Sequence, residues 1–118
     1  SQRKKSSKVL CEKTLQMIET GYGSGDIFLV SVSSAISVSP NYLSAVIKKE
    51  TGKTFVDLLT GKRMEVAKEL LTCTSMKIKE ISERCGYSDQ HYFSYCFKKY
   101  SGTSPNALRR QIKAEEEA

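Results

Sequence analysis

An internal repeat with an offset of fifty residues constrains the fold of this chain more than any other feature. The segment "NYLSAVIKKETG" at 41–52 aligns without a gap with "HYFSYCFKKYSG" at 91–102. The aligned identities are a tyrosine, a serine, two lysines and a glycine: Tyr42/Tyr92, Ser44/Ser94, Lys48/Lys98, Lys49/Lys99 and Gly52/Gly102. We therefore predict that the chain builds the same local structure twice.

A short apolar pattern with helical spacing precedes each copy of the repeat. The two patterns place a serine between apolar residues: Leu29, Val32, Ser33 and Ile36 in the first copy, and Ile78, Ile81, Ser82 and Cys85 in the second. This small serine lies where a second helix could approach closely. The offset is 49 before the turns and 50 after them, so the second turn is one residue longer.

A turn with a capping residue links each apolar pattern to the repeat. The first turn, "SVS", ends in Ser39 as the predicted N-cap, with Pro40 at the first helical position. The second turn, "GYSD", contains Gly86, which can take a positive φ, and ends in Asp89 as the predicted N-cap. A short helix, a tight turn and a capped helix together predict a helix-turn-helix in each copy.

The remaining segments also have helical periodicity. Residues 8–20 predict a first helix, "TFVDLLTGKRMEVAKELLTC" predicts a long connecting helix, and "TSPNALRRQIK" predicts a last one. We therefore predict an all-α fold of about seven helices, with two helix-turn-helix subdomains joined by a long linker helix. The predicted boundaries are 1–7 for a linker remnant or disordered segment, 8–112 for the domain and 113–118 for an acidic tail. Within the domain they are about 8–53 for subdomain one, 54–73 for the linker helix and 74–112 for subdomain two.

The two capped helices separate into an inward and an outward face. The predicted inward residues are Leu43, Val46 and Ile47 in the first helix, and Phe93, Cys96, Phe97 and Tyr100 in the second. The predicted outward residues are Asn41, Ser44, Ala45 and Lys48, and Gln90, His91, Ser94, Tyr95 and Lys98. Amide side chains suit adenine edges, small residues suit a thymine methyl, and lysines suit phosphates, so these faces fit the major groove of DNA. The alternative is that these polar residues simply face water.

The charge of the chain favours a polyanionic partner. The net charge is +6 and the isoelectric point is about 9.2, which agrees with nucleic-acid binding but also with a merely soluble basic protein. No apolar run is long enough to cross a membrane and no signal-peptide pattern is present, so we expect a cytoplasmic protein.

The chain lacks the residue patterns of a metal site or a catalytic site. The four cysteines, at 11, 73, 85 and 96, do not have zinc-knuckle spacing, and there is a single histidine. We expect reduced cysteines that pack in the core, and neither a metal nor a cofactor. No nucleophile–base pair is visible, and the glycines of "TGYGSGD" do not follow a strand, so we do not expect an enzyme.

Several segments together resemble the DNA-binding domain of AraC/XylS-type bacterial transcription regulators. They are "SPNYLSAVIKKETGKTF", the pattern "R…A..LL" from Arg63 to Leu71, and "IKEISERCGYSDQHYFSYCFKKYSGTSPNALRR". The resemblance covers about residues 8 to 112. It implies two helix-turn-helix subdomains whose recognition helices enter successive major grooves on one face of DNA.

The resemblance also assigns roles by position. It implies that the base-reading residues are Asn41, Ser44 and Ala45 in the first helix, and Gln90, His91, Ser94 and Tyr95 in the second. We predict that Lys48, Lys49, Lys98 and Lys99 contact phosphates. Ser44 and Ala45 are shorter than the residues often found there, which predicts weaker direct readout by the first helix.

Family members usually carry a second, regulatory domain. The resemblance therefore implies that an upstream receiver or ligand-binding domain completes the protein, and that this chain is the C-terminal part of a larger regulator. We expect the isolated domain to be a monomer. The alternative function is a protein-interaction module that docks RNA polymerase or another regulator domain, and one protein could have both functions.

Overall fold

The computed structural model describes residues 6–118, so most of the predicted segment 1–7 lies outside the described residues. Residues 6–118 form seven α-helices and no β-strand, which confirms the predicted fold class. The helices are α1 (Ser7–Gly21), α2 (Leu29–Ala35), α3 (Pro40–Thr51), α4 (Phe55–Cys73), α5 (Ile78–Arg84), α6 (Gln90–Ser101) and α7 (Pro105–Glu117).

The chain divides into two compact units, the first ending at Lys62 and the second beginning at Arg63. The division lies inside α4, which is continuous through Gly61. The sequence predicts that 54–73 is a linker helix, but both halves of α4 are also core elements. Phe55 and Leu59 pack in the core of the first unit, and Met64 and Leu71 pack in that of the second.

The first unit is built on α1, α2, α3 and the start of α4. Its core contains Ile18, Val32, Leu43, Ile47 and Phe55, all buried because the apolar stripe of each helix faces the others. A smaller cluster joins α1 to α3 through buried apolar side chains: Leu10, Cys11 and Val46. The buried Thr14 hydroxyl donates to the Leu10 carbonyl at 2.9 Å, so this polar group is satisfied inside the core.

The second unit packs the end of α4 against α5 and α6. Met64, Ala67, Ile81, Phe93 and Phe97 are fully buried at its centre. Cys85 is also buried there, and burial raises the pKa of its thiol to about 11 although the Arg63 charge lowers it. The thiol therefore stays neutral at physiological pH, as predicted for a packing cysteine.

The two helix-turn-helix turns share one backbone geometry as far as Val38 and Tyr87, after which the second is one residue longer. The Val38 N–H donates to the Ser33 carbonyl at 3.0 Å, and the equivalent Tyr87 N–H donates to the Ser82 carbonyl at 3.0 Å. Each turn needs one residue with positive φ: Gly86 has φ 86°, as predicted, and the matching residue in the first turn has φ 60°. That residue is Ser37, and sequence analysis missed it because serine rarely takes this conformation. The α2 and α3 axes are bent by 99° at the turn, within the usual range for this motif.

Arg109 ties α7 to the end of α4. Its guanidinium donates to the carbonyls of Leu71 at 3.3 Å and Thr74 at 3.0 Å, and also to that of Met76. The last carbonyls of a helix have no partner within the helix, and they carry partial negative charge. One cation therefore satisfies both the C-terminus of α4 and the connection to α5.

Candidate nucleic-acid interface

Helix α3 is capped and oriented as its sequence predicts. The Ser39 hydroxyl accepts from the Tyr42 N–H at 3.1 Å, and Pro40 occupies the first helical position. Leu43, Val46 and Ile47 are buried, so they hold the helix to its unit. The three residues with a predicted base-reading role are all exposed on the other side: Asn41, Ser44 and Ala45.

Helix α6 repeats this arrangement with larger side chains. The Asp89 carboxylate accepts from the His91 N–H at 2.8 Å and, less closely, from the Tyr92 N–H at 3.4 Å. Phe93 and Phe97 are fully buried. Among the residues with a predicted base-reading role, His91 and Tyr95 are exposed, whereas Gln90 and Ser94 are half-buried at the edge of the same face.

The prediction that Tyr100 of α6 packs in the core is wrong. Tyr100 continues the inward period of Phe93 and Phe97, but its side chain is 55% exposed. It borders an open groove along α4 lined by Glu65, Lys68, Glu69, Thr72 and Cys73. A helical period gives the direction of a side chain, but it does not tell whether a neighbouring element reaches far enough to cover it.

The lysines at the ends of the two helices are not equivalent. Lys48, Lys49, Lys98 and Lys99 are all exposed in the last turn, where a cation interacts favourably with the helix C-terminus. The Lys48 ammonium donates to the Gly52 carbonyl at 3.0 Å, beyond the end of its own helix. Within residues 6–118, no comparable bond involves Lys98. Lys48 and Lys98 therefore differ in their hydrogen bonding, although they occupy matching positions of the repeat.

Known proteins share both the sequence pattern and this fold. A family model described as a helix-turn-helix domain matches residues 32–111. The chain is 36% identical over 109 residues to the uncharacterized HTH-type transcriptional regulator YijO of Escherichia coli (strain K12), covering 92% of this chain and 38% of that protein. It is 48% identical, with a TM-score of 0.85, to the C-terminal domain of AraT, a response regulator from Geobacillus stearothermophilus.

The chain belongs to the AraC/XylS family. The match to AraT covers 86% of this chain and 84% of that structure. The C-terminal domain of the two-component response regulator yesN from Fusobacterium nucleatum is also similar, with 40% identity, a TM-score of 0.81, and coverage of 83% and 95%. AraC-type helix-turn-helix domains are the DNA-binding parts of transcription regulators and are not enzymes. The chain spans less than half of the length of the curated relatives it matches.

This AraC/XylS domain has one feature at its α6 face that sequence analysis did not assign. Tyr92 is 58% exposed, and its ring stacks on that of Tyr95, with centroids 6.4 Å apart and an interplanar angle of 23°. The signal was present in the repeat, because Tyr92 aligns with Tyr42, which is also exposed. The first copy has no such pair, since Ala45 stands where Tyr95 stands in the second.

The described part of this AraC/XylS domain contains no cluster of three or more histidine, cysteine, aspartate or glutamate residues that could hold a metal ion. Cys11 and Cys85 are buried, Cys96 is half-buried and Cys73 is exposed, so Cys73 is not the packing residue that the sequence predicts. In residues 6–118, no single helix is long and apolar enough to cross a membrane. Within that range, only α2 and α3 taken together have that length and composition, and they are bent by 99° relative to each other.

Proposed function

We propose that this domain binds double-stranded DNA sequence-specifically, with α3 and α6 entering successive major grooves, as the output domain of a bacterial transcription regulator. The observation that carries the proposal is the repeated design of the two helices. Each is fixed to its own unit by a buried apolar stripe and a capped N-terminus. Each then leaves a face with polar or small side chains near its start and lysines at its end.

The proposed base-reading residues suit different base edges. The Gln90 and Asn41 amides can donate and accept at once, which matches the N6/N7 edge of adenine. His91 and Tyr95 add longer reach on α6, whereas Ser44 and Ala45 on α3 offer only short contacts. We propose that α6, with Gln90, His91, Ser94 and Tyr95, carries more of the sequence discrimination than α3.

The proposed phosphate contacts come from the lysines at the helix ends. Lys98 and Lys99 on α6 are exposed and available for a phosphate. Lys48 would exchange its bond to the Gly52 carbonyl for a phosphate, so its net gain is smaller than that of Lys98. Lys49 is exposed beside it.

We propose that an upstream receiver or ligand-binding domain completes the protein in the cytoplasm. The similarity to the C-terminal domains of two response regulators supports a receiver domain. The two reading helices belong to one chain and differ in sequence, so a single isolated domain would bind an asymmetric site as a monomer. Their centres on DNA would lie one helical turn, about 34 Å, apart.

A second candidate function is docking of RNA polymerase or another regulator domain. It is favoured by three large apolar side chains exposed on the first unit: Phe28, Val30 and Val56. A contiguous exposed apolar patch marks a protein-interaction site, so a docked partner would have to cover these three side chains together. This function does not compete with DNA binding for the faces of α3 and α6.

The decisive experiment is selection of binding sites from random duplex DNA, followed by affinity measurements at several salt concentrations. We expect an asymmetric motif and a linear loss of log affinity with log salt, with a slope of about −0.9 for each phosphate neutralised. A palindromic motif within the footprint of one domain would contradict monomeric binding. Failure to enrich any motif, with no salt-dependent binding, would refute the proposed function in favour of protein docking.

A further inference from the structure

Two exposed aromatic rings lie side by side on α6. Tyr92 and Tyr95 are 58% and 62% exposed. Phe93 and Phe97, on the opposite side of the helix, pack in the core of the unit. Residues three apart are neighbours on a helix surface, and the two rings stack at 6.4 Å. The pair therefore presents a continuous apolar surface while it adds little to the buried core.

The core holds this surface in place from one side. The Tyr92 ring packs against the ring of the buried Tyr87, with centroids 6.1 Å apart. The Tyr87 ring in turn packs on that of Phe93, with centroids 5.5 Å apart. A hydrogen bond with the Cys96 thiol, one turn further along α6, raises the pKa of Tyr92, because it favours the protonated phenol. Tyrosine has few rotatable torsions, so an anchored tyrosine loses little conformational entropy when it binds a partner.

We propose that Tyr92 is a further DNA-contacting residue and that the Tyr92–Tyr95 pair recognises the C5-methyl group of thymine in the major groove. The inference rests on the proposed function, since it requires α6 to enter the groove. Thymine is the base that presents an apolar group, its methyl, at the major-groove edge. The Gln90 amide reads bases by hydrogen bonds and cannot recognise a methyl group. Tyr95 lies one turn from His91 on the helix surface, so the two rings supply an apolar contact beside that polar side chain.

The pair gives the second unit a larger apolar contact for a methyl group than Ser44 and Ala45 give the first. On α3 the aligned positions hold Tyr42 and Ala45, so one ring stands without a stacked neighbour. The half-site under α6 is therefore expected to contain at least one thymine whose methyl group matters for affinity. The half-site under α3 is expected to depend less on any one methyl.

The test replaces each thymine of the selected site in turn with deoxyuridine, which removes the methyl group and nothing else. With the unaltered protein, one or two replacements in the half-site under α6 should lower affinity about fourfold each, the value for losing one buried methyl-sized group. The same replacements should have no effect on Tyr92→Ala or Tyr95→Ala, and they should keep their effect in Tyr92→Phe, which retains the ring.

The matched control is Tyr100→Ala, which removes an equally exposed tyrosine from the same helix. Tyr100 is five residues from Tyr95 and eight from Tyr92, so it points about 140° from the first and about 80° from the second around the helix axis. This variant should keep the full deoxyuridine effect. Circular dichroism checks that each variant is folded.

A second measurement needs no variant. Each thymine is replaced with 5-iododeoxyuridine, the complex is irradiated, and the crosslinked residue is identified by mass spectrometry, with Tyr92 or Tyr95 expected. A selected motif without any deoxyuridine effect, an effect that persists in a folded Tyr92→Ala variant, or crosslinks only to other residues would each overturn the inference. Failure of the proposed function would be distinguishable, because no motif would then be selected at all.

Discussion

Replacing Arg109 with methionine should destabilise the second unit without changing the α6 face that is proposed to read bases. Methionine keeps a long unbranched stem but removes every donor. The substitution removes the hydrogen bonds from the guanidinium to the carbonyls of Leu71 at 3.3 Å, Thr74 at 3.0 Å and Met76. The contact with the Leu70 carbonyl at 3.4 Å counts for little, because that oxygen already accepts from the Thr74 N–H and hydroxyl.

The expected loss of stability follows from these hydrogen bonds. A hydrogen bond from a charged group contributes roughly 1.5–3 kcal/mol, and bonds from one guanidinium are not additive. Arg109 is half-buried, so water can replace part of what is lost. We therefore expect Arg109→Met to lower the free energy of unfolding by about 2–4 kcal/mol, and Arg109→Lys to lower it less, because lysine keeps the charge but not the planar fork.

The assay is urea unfolding followed by circular dichroism, with Arg110→Met as the matched control. Arg110 is the next residue of α7 and is exposed, so its replacement should change stability by less than about 0.5 kcal/mol. Amide hydrogen exchange should also accelerate at residues 74–77 in Arg109→Met alone. If the two variants are equally stable, Arg109 does not hold the end of α4 and the reasoning from its bonds is refuted.

Three further predictions concern the turn, the phosphate contacts and base readout. Gly86→Val should lower the melting temperature of the second unit, because φ is 86° there and a β-branched residue is strained in that region; an unchanged melting curve would contradict this. Lys98→Gln should weaken binding to all sequences and make the salt slope shallower by about one unit, while Lys48→Gln should change the slope less because its ammonium bonds to its own chain; equal slopes for the two variants would count against the difference. Gln90→Ala, measured on single-base variants of the selected site, should relax discrimination by about 1–3 kcal/mol at one or two adjacent base pairs; a uniform loss on every variant would assign Gln90 to positioning.

The all-α fold follows from the sequence because its signals are local and mutually consistent. Ser39, Asp89 and Pro40 stand at helix starts where their side chains or ring fit, and each cap forms as the sequence predicts. Apolar residues at helical spacing become the buried stripes of α3 and α6, with Phe93 and Phe97 fully buried. The offset of the repeat even predicts that the two turns differ by one residue.

The exposed face that is proposed to read bases was predicted in outline from the same periodicity. Once the buried side of a helix is known, the other side is known as well, so His91 and Tyr95 are exposed as expected. Which of these residues read bases is still a prediction, because the role depends on a DNA sequence that the chain does not encode.

Contacts between segments far apart in the chain could be found only in the tertiary structure. Periodicity places Tyr100 on the inward side of α6, yet its side chain is 55% exposed, because burial depends on the reach of other helices. The role of Arg109 depends on carbonyls 33 to 38 residues earlier, and the stacking of Tyr92 on Tyr95 depends on how Tyr87 supports it from the core. Local signals fix what one helix does, whereas these contacts arise only when the packing of several helices brings their side chains together.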